Sequence, residues 1–122
     1  MIKRNKYGNH KVEIDGHKFD SKLEAKYYSE LKLLKQAGEI KDFSLQPKFE
    51  LQPNYKRGNK TIRKITYSAD FRVEHIDGEI EIIDIKGHVT KEFALKRKML
   101  EYKYNISLTV LSFDKNKGWY EI

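Results

Sequence analysis

The sequence predicts an α/β fold in a single domain spanning residues 1–122, with a mixed β-sheet of about four to five strands flanked by two main helices. Three observations predict it. Residues 21 to 37, SKLEAKYYSELKLLKQA, repeat apolar side chains at helical spacing. Residues 62 to 75 and 79 to 86 alternate as strands do on either side of Ile76, Asp77 and Gly78, where Asp-Gly is a turn signal. A second helical segment, 91 to 104, then leads into NISLTVLSF, 105 to 113. A hairpin followed by a helical crossover into another strand requires antiparallel and parallel pairs in one sheet. A chain of 122 residues buries roughly two thirds of its unfolded surface in one core, so one domain suffices.

The elements follow in order. In the first helix Leu23, Tyr27, Leu31 and Leu34 form the core stripe, Asp20 or Ser21 caps the start and Gly38 follows the end. FSLQPKFELQP, 43 to 53, alternates Phe43, Leu45, Phe49 and Leu51 as a strand, with Pro47 marking an edge or a bulge. A loop rich in Asn, Gly and Lys comes next, then the hairpin. Thr90 caps the second helix, and a Gly-Trp-Tyr tail follows the last strand.

Composition narrows the function. With no cysteine, a disulfide framework and a thiolate zinc site are excluded, so any metal is held by oxygen or histidine. The opening MIKRNKYGNH lacks the apolar core of a signal peptide, and no apolar run approaches the ~20 residues of a membrane span. A cytoplasmic protein without a membrane partner is expected. Twenty-five Lys and Arg against 18 Asp and Glu give a net charge of +7, and the pI is near 9.4. The cations cluster at Lys3, Arg4, Lys6 and Lys11, at Lys56, Arg57, Lys60, Arg63 and Lys64, and at Lys91, Lys96, Arg97 and Lys98. Such clustering points to a polyanion, DNA first, with Lys11, Arg57, Lys60, Lys64 and Lys96 as contacts; ordinary solvated surface is the plainer reading. A homodimer is left open.

The candidate chemistry sits in EIEIIDIKG, 79 to 87, where Ile80, Ile82, Asp84 and Lys86 share one strand face and Ile83 and Ile85 the other. An apolar row thus turns ionic at Asp84. Asp70, in YSADF, is a second carboxylate among apolar neighbours, and two carboxylates brought together repel unless a proton or a cation lies between them. A hard divalent cation is the natural guest, with Lys86 beside it. Whether the two can meet depends on register. A three-residue loop at Ile76, Asp77 and Gly78, with Gly78 left-handed, sets His75 opposite Glu79 and Asp70 opposite Asp84; a two-residue turn would put them on opposite faces. The first register is the one expected. Glu24 points with the core-facing stripe of its helix and has two readings, a site residue or the capping-box glutamate of SKLE reaching back to the Ser21 backbone. Lys96 is either a site cation or a snorkelling lysine. Gln46 contacts the site or only a loop. His10, His17, His75 and His88 show no paired metal spacing, and no Gly-rich phosphate loop or nucleophile elbow is present.

Taken in order, a helix with Glu24, a strand with Asp70, a strand with Asp84 and Lys86 and a helix with Lys96 resemble the PD-(D/E)xK nuclease superfamily over most of the chain. FDSKLEAKYYSEL, LQPKFEL, ITYSADF and IIDIKG resemble a small phage-encoded nuclease-like family within it, with junction-resolving endonucleases and a transposase endonuclease subunit similar at greater distance. Two departures stand out: the first motif reads Ser68-Ala69-Asp70 without its proline, and Asp84 stands where glutamate is commoner. The resemblance implies a restriction-endonuclease-like core and Mg²⁺ or Mn²⁺ held by Asp70, Asp84, the Ile85 carbonyl and Glu24, directly or through water. It further implies that Lys86 acts on the attacking water or the transition-state charge, in a metal-dependent DNA endonuclease of branched or recombination DNA, working in the host cytoplasm if phage-encoded. Two other readings remain beside it: a non-catalytic nucleic-acid-binding protein, and a structural partner whose carboxylates merely pair with lysines.

Overall fold

The computed structural model describes residues 11–122; Lys3, Arg4, Lys6 and His10 lie outside them. The elements run β1 (Val12–Ile14), β2 (His17–Phe19), α1 (Lys22–Gln36), β3 (Ile40–Leu45), β4 (Lys48–Gln52), β5 (Tyr55–Arg57), β6 (Lys60–Ile62), β7 (Ile65–Ser68), β8 (Phe71–His75), β9 (Ile80–Ile85), α2 (Lys91–Tyr104), β10 (Leu108–Asp114) and β11 (Gly118–Glu121). A mixed five-stranded sheet in the order β11-β10-β9-β8-β3 forms the centre, as an α/β fold with a helical crossover requires. Only β9 and β10, joined through α2, run parallel. The remaining strands form three two-stranded sheets, β1-β2, β4-β7 and β5-β6.

Each helix begins where a hydroxyl can satisfy its free amides. Ser21 Oγ accepts from the Glu24 N–H at 3.1 Å, and Thr90 Oγ1 accepts from the Phe93 N–H at 3.0 Å, contacts of a kind that contribute ~1 kcal/mol apiece. Alternation along β9 then divides the core between the two sheet faces. Ile83 and Ile85 pack with Phe71, Val73 and the α1 residues Ala25, Tyr28 and Leu31. Ile82, on the other face, packs with Leu108, Val110 and the α2 residues Phe93 and Leu100. Leu31, Leu100, Leu108 and Val110 have almost no exposed surface, so truncating one of these leucines to alanine costs about 2–5 kcal/mol.

The expected register of the β8-β9 hairpin is present. Phe71 pairs with Ile83 and Glu74 with Ile80. The His75 N–H donates to the Glu79 carbonyl at 2.8 Å, and the Gly78 N–H closes the turn on the His75 carbonyl at 3.0 Å. Gly78 has φ 91, a conformation that L side chains rarely adopt, so the three-residue loop needs glycine there.

Elsewhere the structure corrects the elements read from sequence. Of the predicted α1 stripe, Leu31 is buried and Leu23 and Tyr27 pack half-buried against the core beside Ala25 and Tyr28, but Leu34 is 39% exposed. The stretch 62 to 75 starts with the last residue of β6 and is interrupted at Arg63 and Lys64; it breaks again at Ala69 and Asp70, as 43 to 53 breaks into two strands at Gln46 (φ 51) and Pro47. The breaks at Gln46-Pro47 and Ala69-Asp70 arise because the chain leaves the central sheet to pair as β4-β7. The supposed loop after β4 is the β5-β6 hairpin, the tail forms β11, and β1-β2 is a further hairpin turning on Asp15 (φ 54) and Gly16 (φ 80).

Candidate functional site

The two strand breaks and the end of β9 meet at one place. Ala69, 1% exposed, sits at the corner where the chain passes from β7 to β8, and Asp70 is the last residue before β8. Its backbone is held on both sides. The Asp70 carbonyl accepts from the Gln46 N–H at 3.0 Å, and the Asp70 N–H is shared between the Ile83 carbonyl and Asp84 Oδ1, each at 3.1 Å. In return Asp70 Oδ2 accepts from the Ile85 N–H at 2.7 Å. The Asp70 carboxylate therefore stands in for a carbonyl at the Ile85 N–H, Asp84 Oδ1 adds a second acceptor at the Asp70 N–H, and the exchange holds Asp70 opposite Asp84.

This interlock uses one oxygen of each carboxylate, and of the two left over that of Asp84 is buried without a partner. Asp84 is 1% exposed, and its Oδ2 has no hydrogen-bond partner. The nearest cation is Lys86 Nζ at 3.9 Å, half-buried and standing over the Phe93 ring at 4.7 Å from its centre. Burial pushes the Asp84 carboxyl up to about 6, against the pull of Lys86 and of the Asp70 N–H. Asp70 is raised for the same reason, opposed by the Ile85 N–H and Lys86. Glu24 is pushed furthest, to about 7, first by burial and then by the negative charges of Asp70, Asp20 and Asp84. Burial thus raises all three carboxyls at one end of the sheet, and Glu24 takes part of its shift from the charges of the other two.

Two clefts open from this point. One of about 200 Å³ is lined by Glu24, Gln46 and Asp70 together with Gly16, His17, Lys18, Phe19, Leu45 and Phe71. The other, about 250 Å³, lies on the α2 side and holds Lys86 and Lys96 among Thr66, Tyr67, Ser68, Thr90, Glu92 and Phe93. Glu24 thus forms part of the first cleft's wall. Its carboxylate accepts from the Ser21 hydroxyl at 3.3 Å rather than from the Ser21 backbone, while that hydroxyl accepts from the Glu24 N–H. Lys96 pairs with Glu92 at 3.2 Å and shares the second cleft with Lys86. The Ile85 side chain is in the core, and only its backbone reaches the site. Among the described residues no group of three His, Cys, Asp or Glu is gathered that could hold a metal ion by itself.

The remaining candidates are elsewhere. Lys11 is exposed just before β1, while Arg57, Lys60 and Lys64 are exposed along the β5-β6 hairpin and its approach. Sequence reasoning missed Asp20, whose charge raises both Glu24 and Asp70, and His17 and Lys18, which the Asp15-Gly16 turn folds over the first cleft. That Asp-Gly pair was the available signal. Gln46, left open from sequence, is part of the site: its left-handed backbone aims its N–H at Asp70. No described helix is long and apolar enough to cross a membrane.

Neither curated proteins nor solved structures give a match to this chain. Residues 4–116 match the profile of a family described as a protein of unknown function, DUF1064, and the chain belongs to that family.

Proposed function

We infer that this protein is a metal-dependent DNA endonuclease of the PD-(D/E)xK type, hydrolysing phosphodiester bonds at the Asp70–Asp84 pair. The observation that carries the reading is the buried Asp84 Oδ2 without a partner beside a second carboxylate. A buried carboxylate oxygen left unmatched is costly unless a cation takes it. The donor set suits Mg²⁺ or Mn²⁺, which is commonly held by one or two carboxylates with water and substrate phosphate oxygens completing the shell. Asp70, Asp84 and the Ile85 carbonyl would hold the ion, with Glu24 reached directly or through water. When bound, the ion supplies a more acidic water and a polarised phosphate.

The chain's own groups do the rest. The interlock between Asp70 and Ile85 fixes the carboxylates before substrate arrives, which avoids reorganisation during reaction. Lys86 offsets the charge that builds on the phosphate oxygens as water attacks phosphorus and the bond to the 3′ oxygen breaks, leaving a 3′ hydroxyl and a 5′ phosphate. Lys96, from the next turn of the same cleft, holds a neighbouring phosphate, and Lys11, Arg57, Lys60 and Lys64 hold the DNA backbone. Branched recombination or replication DNA in the cytoplasm, a host's if the chain is phage-encoded, is the substrate class this reading favours. A homodimer would suit a two-stranded junction.

A non-catalytic nucleic-acid-binding role has one observation in its favour, the exposed cationic hairpin, which needs no metal to hold DNA. Cleavage of labelled branched and linear DNAs with Mg²⁺, Mn²⁺ or chelator separates the two. Cutting that requires the ion and stops with chelator is expected. Binding without cutting on every substrate would overturn the hydrolytic reading.

A further inference from the structure

We propose that β4 to β7 form a single rigid arm that enters the major groove of B-form duplex DNA within about one helical turn of the strand-end carboxylates. The proposal rests on the reading above for the polymer that occupies the site. The two short sheets follow one another end to end: Gln52 pairs with Ile65 and Tyr55 with Ile62, and the Lys64 N–H links them across the gap by donating to Asn54 Oδ1 at 2.6 Å. Its root is fixed at the site, where the Ala69 N–H donates to the Pro47 carbonyl at 3.0 Å between Gln46 and Asp70. Leu51 and Tyr67 anchor the inner half in the α2 core, and the Tyr104 hydroxyl and Lys103 Nζ both donate to the Glu50 carbonyl at 2.8 Å. The outer half, β5 and β6, contributes no residue to either core cluster and is almost wholly exposed.

Charge and shape then select the occupant. From Leu51 to Ala69 the chain carries Lys56, Arg57, Lys60, Arg63 and Lys64 and no carboxylate. Pairing sets Arg57 beside Lys60 on one face of the hairpin, with Tyr55 and Ile62, while Lys56 with Thr61 takes the other face. Cations on both faces suit a strand pair with phosphates on either side, as between two groove walls, better than one lying flat on a polyanion. The major groove of B-DNA, ~12 Å wide, admits a two-stranded ribbon, whereas the deep, narrow major groove of an RNA duplex does not. From Asp70 back to Lys60 the chain, at ~3.3 Å per residue, spans at most roughly 33 Å, an upper bound of about one turn of duplex.

The test is equilibrium binding of the full chain, without divalent metal, to duplex DNAs of about 8 and about 25 base pairs and to an RNA duplex of the longer length. It compares wild type with a variant carrying Lys56→Gln, Arg57→Gln, Lys60→Gln, Arg63→Gln and Lys64→Gln. On the long DNA the variant is expected to bind at least about tenfold more weakly, with a salt dependence shallower by roughly 3–5 in log–log slope. On the short DNA and on RNA the two proteins should bind nearly alike. Equal binding of both proteins to the long DNA, or the same loss on RNA as on DNA, overturns the arm. Because no cutting enters the readout, a protein that binds in this way yet cleaves nothing would defeat the hydrolytic reading alone, and one that cleaves with no loss of affinity would defeat the arm alone.

Discussion

Asp15 and Asp84 are both aspartates beside a lysine, and they end in opposite electrostatic states. Asp15, exposed at the β1-β2 turn, is met by Lys32 and by the Tyr28 hydroxyl at 2.9 Å, and these contacts hold its carboxyl below the ordinary value. Asp84, buried, has Lys86 only at 3.9 Å and one oxygen with no partner, and burial holds its carboxyl above the ordinary value. At Asp15 donors match the charge, whereas the end of β9 is left short of positive charge, a shortfall that the proposed cation would relieve.

The largest effect that would sharpen this contrast is on cleavage. Asp84→Asn should lower Mg²⁺-dependent DNA cutting by about 10³-fold or more while leaving DNA affinity near wild type, since a ligand is lost and the basic surface is untouched. Lys86→Ala should lose about 10²-fold in turnover with Mn²⁺ affinity retained. Asp15→Asn should cut normally. Steady-state cleavage of one labelled duplex checks all three, and an inactive Asp15→Asn would break the comparison.

Stability should show the reverse order. In metal-free protein at pH 8, Asp84→Asn is expected to stabilise by about 1–3 kcal/mol in urea unfolding, because the amide keeps an acceptor for the Asp70 N–H and removes a buried charge. Asp15→Asn should destabilise slightly. Metal-free wild type should also lose stability as pH rises from about 4.5 to about 7. In that window the folded protein holds protons on Glu24 and Asp84 that the unfolded chain has released, so their raised values favour folding only at lower pH. Stability that instead rose across the window would mean the carboxyls are matched after all. A smaller effect tests the register that brings the pair together: Gly78→Ala should cost about 1 kcal/mol, the strain of a side chain at φ 91.

What the sequence disclosed, and what it hid, follows from the range of the forces involved. Helix α2 and its Thr90 cap, and the β8-β9 loop with its left-handed glycine, are set by local periodicity and turn chemistry. Asp84 was conspicuous because a carboxylate interrupting the row Ile80, Ile82 has no local reason to be there. Pro47 announced an irregularity in 43 to 53, but the break at Ala69-Asp70 was not legible, since YSADF reads as one strand until β7 is seen to pair with β4 and β8 with β3 and β9. Such exchanges of partner are decided by tertiary packing. The β5-β6 hairpin escaped because Lys56, Arg57, Lys60 and Thr61 lack an apolar alternation, although Gly58-Asn59 is itself a two-residue hairpin signal. Glu24 carried two readings from sequence; its carboxylate meets the Ser21 hydroxyl rather than the Ser21 backbone, and it lines the first cleft.

The most direct measurement is calorimetric titration of Mn²⁺ into metal-free protein at pH 8, above the raised values of Asp84 and Glu24. Wild type and Asp15→Asn should each bind the ion at the strand-end carboxylates, and Asp84→Asn should lose that binding. Undiminished Mn²⁺ binding in Asp84→Asn, or none in the wild type, would contradict a metal centre at the Asp70–Asp84 pair.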